Sequence, residues 1–382
     1  MCQYATRMIY LDYNATTPLS PVALAAMRPY LEQHHGNPSS IHAAGRMTRA
    51  ALDDARDALA RQFSVKPHEL IFTSGGTESD NLAILGLARE FSGKGKHLIT
   101  LQTEHHAVLQ AFEYLERHEG FEVTYLSVDP EGVIRLEELE KAIRPDTTLC
   151  SVMAANNETG VFQPLAQISR ICRERGVLLH SDMIQVLGKE TVDLSLVDAA
   201  SFASHKFYGP LGAGLLYLHA GVSIRTLHYG GAHENQRRPG TENVVAIVGM
   251  AAAAREAEEK KTDEQMHERT LRDQLWKGIN EVDSEAVLNG HAEKRLANTL
   301  NVSFPGLDGE ALLFGLDLAG VCVSSGSACM VGSIQASHVL MAMGVPESTA
   351  AATVRFSLGR SNTAVEIEET IGRLAQVIRR LR

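Results

Sequence analysis

A lysine at the end of an apolar run is the first residue here that could carry chemistry. In DAASFASHKFYGPLGAGLLYL, Lys206 follows a strand-like run and precedes a turn rich in Gly and Pro. An amine delivered by a buried strand can be desolvated enough to lose its proton near neutral pH and form a Schiff base. His205 or Ser204 beside it could bind a phosphate group. The alternative is the commonest role of lysine, a solvated surface charge.

Polar side chains follow three other strand-like runs. Asp182 ends GVLLHSD and Gln185 lies three residues further on, so the carboxylate could pair with a protonated ring nitrogen and the amide with a ring hydroxyl. A helix N-cap is the alternative for Asp182. His105 in TEHHAVL could stack on an aromatic ring, although its neighbour His106 or an ordinary loop histidine remains open. Asn157 in NNETG follows the run TTLCSVM.

The segment IFTSGGTESDNLAIL reads as a strand, a glycine-rich turn and a helix. Gly75 and Gly76 let the backbone approach an anion, and Thr77 adds a hydroxyl beside the free amides of a helix start. A tight turn with an ordinary threonine cap is the alternative. Neither GxxxxGK nor GxGxxG occurs, so the pattern does not favour a nucleoside triphosphate or a dinucleotide.

A thiol and a guanidinium complete the candidate residues. Cys329 lies in VCVSSGSACMVGS, where small and polar neighbours indicate an accessible loop of the kind that carries reactive thiols. Arg355 lies inside the strand-like run TVRFS and needs an anionic partner. That partner could be a substrate carboxylate held by two parallel hydrogen bonds, or an Asp or Glu in a buried ion pair.

The elements that must position these residues alternate along the chain. Between about residues 46 and 220, helical patterns alternate with short β-rich runs, which predicts an α/β fold with a mostly parallel sheet covered by helices. Ligands of such sheets lie beyond the carboxyl ends of the strands, where the residues above are found. After residue 243 a long helical run leads into sparser strands. We expect a large domain over 14–262 and a smaller α+β domain formed by 1–13 and 263–382.

Composition narrows the function further. The 382 residues carry a net charge of -10, which argues against direct nucleic-acid binding. The five cysteines form no CxxC pair and HExxH is absent, so we expect reduced thiols, a cytoplasmic location and no metal site. The N-terminus lacks the shape of a signal peptide, and no run approaches about 18 apolar residues, so we expect no membrane span.

Taken together, the ordered motifs resemble the cysteine desulfurases of the class V aminotransferase family, within the fold-type-I pyridoxal-phosphate enzymes. The resemblance covers nearly the whole chain, and the length after SSGSAC is similar to the NifS and IscS type rather than the SufS type. Its fold implies a seven-stranded, mostly parallel sheet with helices on both faces. The matching segments are YLDYNATTP, GNPSSIHAAGR, FTSGGTESDN, TEHHAVL, NNETG, HSDMIQ, SFASHKFYGP, RRPGTENV, SSGSAC, SHVLMAMG and RFSLGR.

The resemblance implies a role for each matching residue. Lys206, Cys329 and His105 would be catalytic, with Lys206 bound to pyridoxal 5'-phosphate and Cys329 attacking the substrate sulfur. Asn14, Asn157 and Arg355 would bind the substrate, with Arg355 on its carboxylate. The residues that would bind the cofactor are Gly76, Thr77, His105, Asn157, Asp182, Gln185, Ser204, His205, Lys206 and Thr241, the last reaching the phosphate of a partner subunit.

The implied reaction converts L-cysteine to L-alanine and leaves a persulfide on Cys329 for a sulfur-acceptor protein, in a homodimer. Selenocysteine lyase and a class V aminotransferase are the alternative activities, and a non-catalytic interaction protein is the alternative of another class. Iron–sulfur cluster assembly and tRNA thiolation would both start from the same persulfide. One departure concerns the phosphate: Ala203 stands where the family often has a serine, which leaves open whether Ser204 replaces it.

Overall fold

A computed structural model of the protein describes residues 8–325 and 336–382. Within these ranges the strands are β1 (Ile9–Tyr10), β2 (Leu70–Thr73), β3 (His97–Leu101), β4 (Glu122–Leu126), β5 (Thr147–Ser151), β6 (Leu178–Asp182), β7 (Ala199–Ala203), β8 (Gly214–Leu218), β9 (Val287–Leu288), β10 (Thr299–Ser303), β11 (Val321–Cys322) and β12 (Thr353–Ser357). The helices are α1 (Pro21–Glu32), α2 (Ala43–Phe63), α3 (Gly76–Glu90), α4 (His106–Glu119), α5 (Leu136–Ala142), α6 (Leu165–Glu174), α7 (His233–Gln236), α8 (Val244–Val282), α9 (Gly309–Leu318), α10 (His338–Ala342), α11 (Glu347–Ala351) and α12 (Ala364–Leu381).

A seven-stranded sheet forms the centre of the larger part of the chain. Its strand order is β2-β8-β7-β6-β5-β3-β4. All neighbours are parallel except β8, which runs antiparallel to β2 and to β7. The predicted mostly parallel seven-stranded sheet is therefore confirmed.

Helices cover both faces of this sheet because successive side chains of each strand point to opposite sides. Leu98 of β3 packs on one face with residues of α3 and α4. Ile99, the next residue, packs on the other face with residues of α2, α6 and α8. Strands that are apolar on both faces produce the near-continuous hydrophobic runs seen in the sequence.

Caps fix where the helices begin and end. The side chain of Thr363 accepts a hydrogen bond from Glu366 N while the side chain of Glu366 bonds the Thr363 amide, a capping box that starts α12. Helix α4 ends at Gly120, whose φ of 69° is the left-handed conformation that glycine adopts without strain. The long helix α8 starts behind Asn243, whose side chain accepts from Ala246 N.

A second apolar cluster lies in the remaining part of the chain. It joins Ile9 and Leu11 to residues between Leu271 and Ile378. Strands β9 and β12 pair antiparallel with β10, and β1 pairs parallel with β11. We propose the same division as from the sequence, a large unit over 14–262 and a small one over 1–13 and 263–382. The helix α8 crosses position 262 and links the two, since it packs on α1 and α2 and also on α12.

No helix in the described residues is both long enough and apolar enough to cross a membrane.

Candidate active site

A cavity of about 300 Å³ opens at the carboxyl edge of the central sheet. This volume lies at the lower end of the range for small-molecule sites, roughly 300–1,000 Å³. It gathers residues from the turns after β2, β3, β5, β6 and β7, as expected for an open α/β sheet. Ten predicted residues line it: Asn14, Gly76, Thr77, His105, Asn157, Asp182, Gln185, His205, Lys206 and Arg355.

The amine of Lys206 is held at this edge by backbone carbonyls. A short helical turn, Ser204–Lys206, follows β7 directly and carries the side chain to the cavity. Its Nζ donates to the carbonyl oxygens of Asn14 at 2.7 Å and Ala15 at 2.8 Å. The side chain is therefore part of the cavity wall rather than the solvated surface charge considered above.

Asp182 presents a buried carboxylate at the end of β6. Its Oδ1 accepts from Ile184 N at 2.9 Å, so it caps the turn after the strand and not a helix. Burial raises the pKa of Asp182 to about 6, and the charge of Lys206 opposes that rise. A carboxylate in this setting gains from a cationic hydrogen-bond donor within the cavity.

His105 is a neutral imidazole fixed in one tautomer. It is the N-cap of α4, and its Nδ1 accepts from Ala107 N at 3.1 Å, which leaves the proton of the neutral ring on Nε2. Burial, with the charge of Lys206 as the next cause, lowers the pKa of His105 to about 4. His106 also lines the cavity and packs against His338, with ring centroids 4.6 Å apart.

The start of α3 forms the anion-facing end of the cavity. Gly75 is the N-cap residue, and having no side chain it leaves the first amides of the helix uncapped. Gly76 and Thr77 of the first turn both line the cavity. A Cβ built on Gly76 would lie 2.2 Å from Ile184 Cδ1, so a larger residue would displace this wall.

Of the two candidate phosphate ligands beside Lys206, only His205 lines the cavity. His205 lines the cavity and its Nδ1 lies 3.1 Å from Thr16 Oγ1; burial lowers its pKa to about 4. Ser204 is 0 % exposed and does not line the cavity, whereas Ala203 does. Ser204 is therefore not part of the cavity wall, and its contact with the cofactor phosphate stays a prediction. Ser204 is the first residue of the helical turn after β7, and a Cβ on Gly209 would lie 2.0 Å from Ser204 Oγ, so the hydroxyl points toward Gly209.

Arg355 combines both roles considered from the sequence. Its Nη2 donates to Asp12 Oδ1 at 2.8 Å and its Nη1 to the carbonyl oxygen of Asn157 at 3.1 Å. The residue is only 3 % exposed, yet it lines the cavity, and its Nε has no hydrogen-bond partner among the described residues. The buried ion pair is thus present, and one donor remains to be satisfied.

Asn14 connects the cavity wall to the small unit. Its Nδ2 donates to Thr299 Oγ1 and to the carbonyl oxygen of Asn157, and its Oδ1 accepts from Asn298 Nδ2 at 3.0 Å. Its carbonyl oxygen accepts from both Lys206 and Gln185. Asn14 therefore has every polar group paired.

Two predicted residues lie elsewhere. Thr241 is exposed in the loop before α8 and does not line the cavity. Cys329 lies outside the described residues. Among the described cysteines, Cys150 and Cys172 are buried, and Cys322 lies in β11.

Sequence reasoning missed residues whose contacts are made at long range. Glu158 lines the cavity and accepts from Ser337 Oγ at 2.5 Å, and burial raises its pKa to about 7. Asp80 of α3 is buried beside Asp182 and His180. Lys189 bonds Gln185 and Asn14. The sequence did point to two of these residues, because Glu158 belongs to the motif NNETG and Lys189 follows the motif HSDMIQ.

Comparison with known proteins decides the family. The profile of the aminotransferase class-V family matches residues 9–370. The chain belongs to this family. A cysteine desulfurase IscS of Dictyoglomus turgidum is 46% identical over 98% of this chain and 96% of the relative. The predicted membership of the NifS and IscS type is confirmed.

Solved structures agree. A NifS-like protein superposes with a TM-score of 0.92 at 38% identity, covering 98% of this chain and 100% of that one. A structure described as SspA in complex with cysteine superposes with a TM-score of 0.81 at 34% identity, covering 93% of this chain and 100% of that one.

Pyridoxal 5'-phosphate is a cofactor of this enzyme family, and the residues at the cavity fit it. The buried carboxylate of Asp182 suits a protonated ring nitrogen, and the amine of Lys206 suits the aldehyde carbon. The uncapped start of α3 suits a phosphate dianion. Since His105 is a neutral ring, it can lie against the pyridine ring without repelling its charge.

Proposed function

We propose that this enzyme, a cysteine desulfurase, uses the cavity at Lys206 to convert L-cysteine to L-alanine and passes the sulfur to Cys329 as a persulfide. The observation that carries the site assignment is the convergence on one cavity of an amine, a buried carboxylate, a neutral imidazole and a partly unsatisfied arginine. The relative named cysteine desulfurase and the structure described with cysteine favour this activity over selenocysteine lyase and aminotransferase.

The cofactor would be held at both ends. Lys206 would bind its aldehyde carbon, Asp182 its ring nitrogen, and Gln185 its ring hydroxyl, with His105 against the ring face. Gly76, Thr77 and His205 would bind the phosphate, with Thr241 contributed from a partner subunit. When bound, pyridoxal phosphate supplies an electron sink that stabilises negative charge at the substrate α-carbon.

Arg355 and the asparagines would orient the substrate. The Nε of Arg355 is a buried donor without a partner in the described chain, so a carboxylate oxygen there removes a desolvation cost. Asp12 holds the guanidinium in place through Nη2. Asn14 and Asn157, both in the cavity wall, would confine the rest of the amino acid.

Lys206 would move protons once its amine is displaced by that of the substrate. Its Nζ would take the proton from the α-carbon of cysteine and return protons to carbon as alanine forms. The neutral His105, with its proton on Nε2, can donate a hydrogen bond from that atom into the cavity.

The sulfur would leave to Cys329. Its thiolate attacks the substrate sulfur, the carbon–sulfur bond breaks, a sulfur–sulfur bond forms, and the carbon receives a proton, so cysteine and enzyme thiol become alanine and enzyme persulfide. The described residues that precede and follow Cys329 in the sequence support this role, because they contact residues of the cavity. The backbone of Ser324 bonds the backbone of Arg355. His338 lines the cavity, and its Nε2 lies 2.9 Å from the carbonyl oxygen of Glu104.

The persulfide would serve a sulfur-acceptor protein, and we propose iron–sulfur cluster assembly in the cytoplasm as its destination, with tRNA thiolation as the competing one. We propose a homodimer as the working unit, since Thr241 is exposed away from its own cavity.

The test is to incubate purified holoenzyme with L-cysteine, quantify alanine and map added sulfur by peptide mass spectrometry. We expect alanine, and 32 mass units of added sulfur on the Cys329 peptide. Cys329→Ser should release almost no sulfide, while the matched control Cys322→Ser should behave as wild type. Alanine without any added sulfur on Cys329 would remove the proposed acceptor, and the absence of alanine would remove the proposed function.

A further inference from the structure

Lys189 is a second lysine beside the cavity that the reaction above does not use. It follows Gln185 by four residues in the turn after β6. The residue is partly exposed, but its ammonium bonds two side chains that are themselves buried, those of Gln185 and Asn14.

The direction of these hydrogen bonds fixes the carboxamide of Gln185. Lys189 Nζ donates to Gln185 Oε1 at 2.8 Å, and an ammonium can only donate. Gln185 Nε2 donates to the carbonyl oxygen of Asn14 at 3.1 Å. If the oxygen and nitrogen of this carboxamide were exchanged, its NH2 group would face the Lys189 ammonium and its oxygen would face the carbonyl oxygen of Asn14. Both hydrogen bonds would then be lost. The N–H end is therefore held on the side of Asn14, and Gln185 lines the cavity.

Lys189 also fixes Asn14, which bonds the amine of Lys206. Its Nζ donates to Asn14 Oδ1 at 3.3 Å, and the carbonyl oxygen of the same residue accepts from Lys206 at 2.7 Å. One ammonium thus orients two of the groups that surround the proposed cofactor ring.

The charge of this amine depends on its surroundings. Although part of the side chain is exposed, burial of the amine lowers the pKa of Lys189 to about 7, and the charge of Glu268 on α8 opposes that change, so the amine is mainly an ammonium below pH 7. Lys189 and Glu268 line the same small cavity. The titratable and charged groups around Lys189 are Glu264, Glu268, Lys206, Arg355, His205, Tyr13 and Tyr208.

We propose that Lys189 is a positioning residue that holds the N–H end of Gln185 toward the cofactor, so that the ring hydroxyl meets a donor and is stabilised as the phenolate. This rests on the proposed function, since it requires pyridoxal phosphate in the cavity with its ring oxygen toward Gln185. A phenolate that loses a hydrogen-bond donor becomes more basic. Lys189 therefore influences the proton equilibrium of the bound chromophore through Gln185.

The experiment is a double-mutant cycle read by absorbance, not by turnover. Apoprotein is loaded with pyridoxal phosphate, and the visible band is titrated with pH for wild type, Lys189→Met, Gln185→Ala and the double variant. We expect Lys189→Met to raise the midpoint by about half a pH unit or more and the dissociation constant of the cofactor by about fivefold. In the Gln185→Ala background, Lys189→Met should shift the midpoint by less than half of its shift in the wild-type background.

A control and a second substitution keep the test decisive. Lys260→Met is the control, because it also removes a positive charge, but Lys260 lies on α8 and bonds Glu256 rather than Gln185. This substitution should leave the midpoint unchanged. If Lys189→Met does not fold, the same cycle with Lys189→Gln applies, with a smaller shift that again depends on Gln185. No shift, or an equal shift in both backgrounds, would overturn the inference. Wild-type protein that gains no visible band would instead overturn the proposed function, before Lys189 is tested.

Discussion

At the scale of single residues, the cavity is defined by polar groups whose burial costs free energy unless something compensates. Asp182 and Glu158 are carboxyl groups whose pKa is raised by burial, and Arg355 has a buried donor without a described partner. A site that only stabilised the fold would have paired the Arg355 donor internally. An unsatisfied donor and carboxyl groups of raised pKa that converge on one cavity are better explained by a ligand that binds there.

The guanidinium of Arg355 gives the residue-scale prediction. Arg355→Lys keeps the charge but loses the planar fork, because the ammonium cannot hold Asp12 and a substrate carboxylate in the same geometry. We expect the Michaelis constant for cysteine to rise, with a loss of about 2 to 5 kcal/mol in kcat/KM. Steady-state kinetics measure this.

The control is Arg295→Lys, since Arg295 is also buried but lies outside the cavity and bonds backbone carbonyls. It should reduce stability and leave the Michaelis constant unchanged. If Arg355→Lys has wild-type kinetics, Arg355 is a structural ion pair only.

At the scale of elements, the carboxyl ends of the parallel strands carry the site, and a polar layer lies beneath it. His180 of β6 points to the same side as Asp182, two residues on, and its ring nitrogens lie 2.8 Å from Ser151 Oγ and 3.0 Å from Ser201 Oγ. Asp80 of α3 packs on this layer, 3.7 Å from His180 Nε2. Burial raises the pKa of Asp80 well above its ordinary value and lowers that of His180 to about 3, so the imidazole is neutral near pH 5.

The buried imidazole predicts how stability depends on pH. The folded pKa of His180, about 3, lies below its ordinary value of 6.5, so only the unfolded chain takes up a proton between these values. The contribution is fully present above pH 6.5 and is lost as pH falls. From pH 7 to pH 5, wild type should lose about 2 kcal/mol more than His180→Gln, which cannot titrate. Denaturant unfolding of both proteins measures the difference, and parallel pH curves would contradict it.

Much of this architecture follows from the sequence because strand ends are local features. The runs HLITL, GVLLHSD and TVRFS became β3, β6 and β12, and the residues after the first two reached the cavity. Contacts between distant elements could not be read in this way. The bond from Lys189 to Asn14 joins residues 175 positions apart, and the Ser204 hydroxyl points toward Gly209 rather than into the cavity. Only the folded chain defines these relations.

At the scale of the whole molecule, the proposed homodimer makes the exposed Thr241 functional. Its hydroxyl would reach the phosphate in the partner subunit, so cofactor affinity should depend on assembly. We expect a dimer in sedimentation velocity at working concentration. Thr241→Ala should weaken cofactor binding by about 1 kcal/mol, the scale of one hydrogen bond, without changing the visible band of the loaded protein. A fully active monomer would contradict the shared site.

The central claim is that the cavity at Lys206 holds the cofactor, and chemical trapping tests it most directly. Holoenzyme is reduced with borohydride, digested and mapped by peptide mass spectrometry, so that the lysine bound to pyridoxal phosphate keeps a stable adduct. The structure offers a close competitor, since the amine of Lys189 bonds the same asparagine, Asn14, as Lys206 does. We predict the adduct on the peptide containing Lys206 and none on Lys189. An adduct on Lys189 or on another lysine, with Lys206 unmodified, would contradict the account.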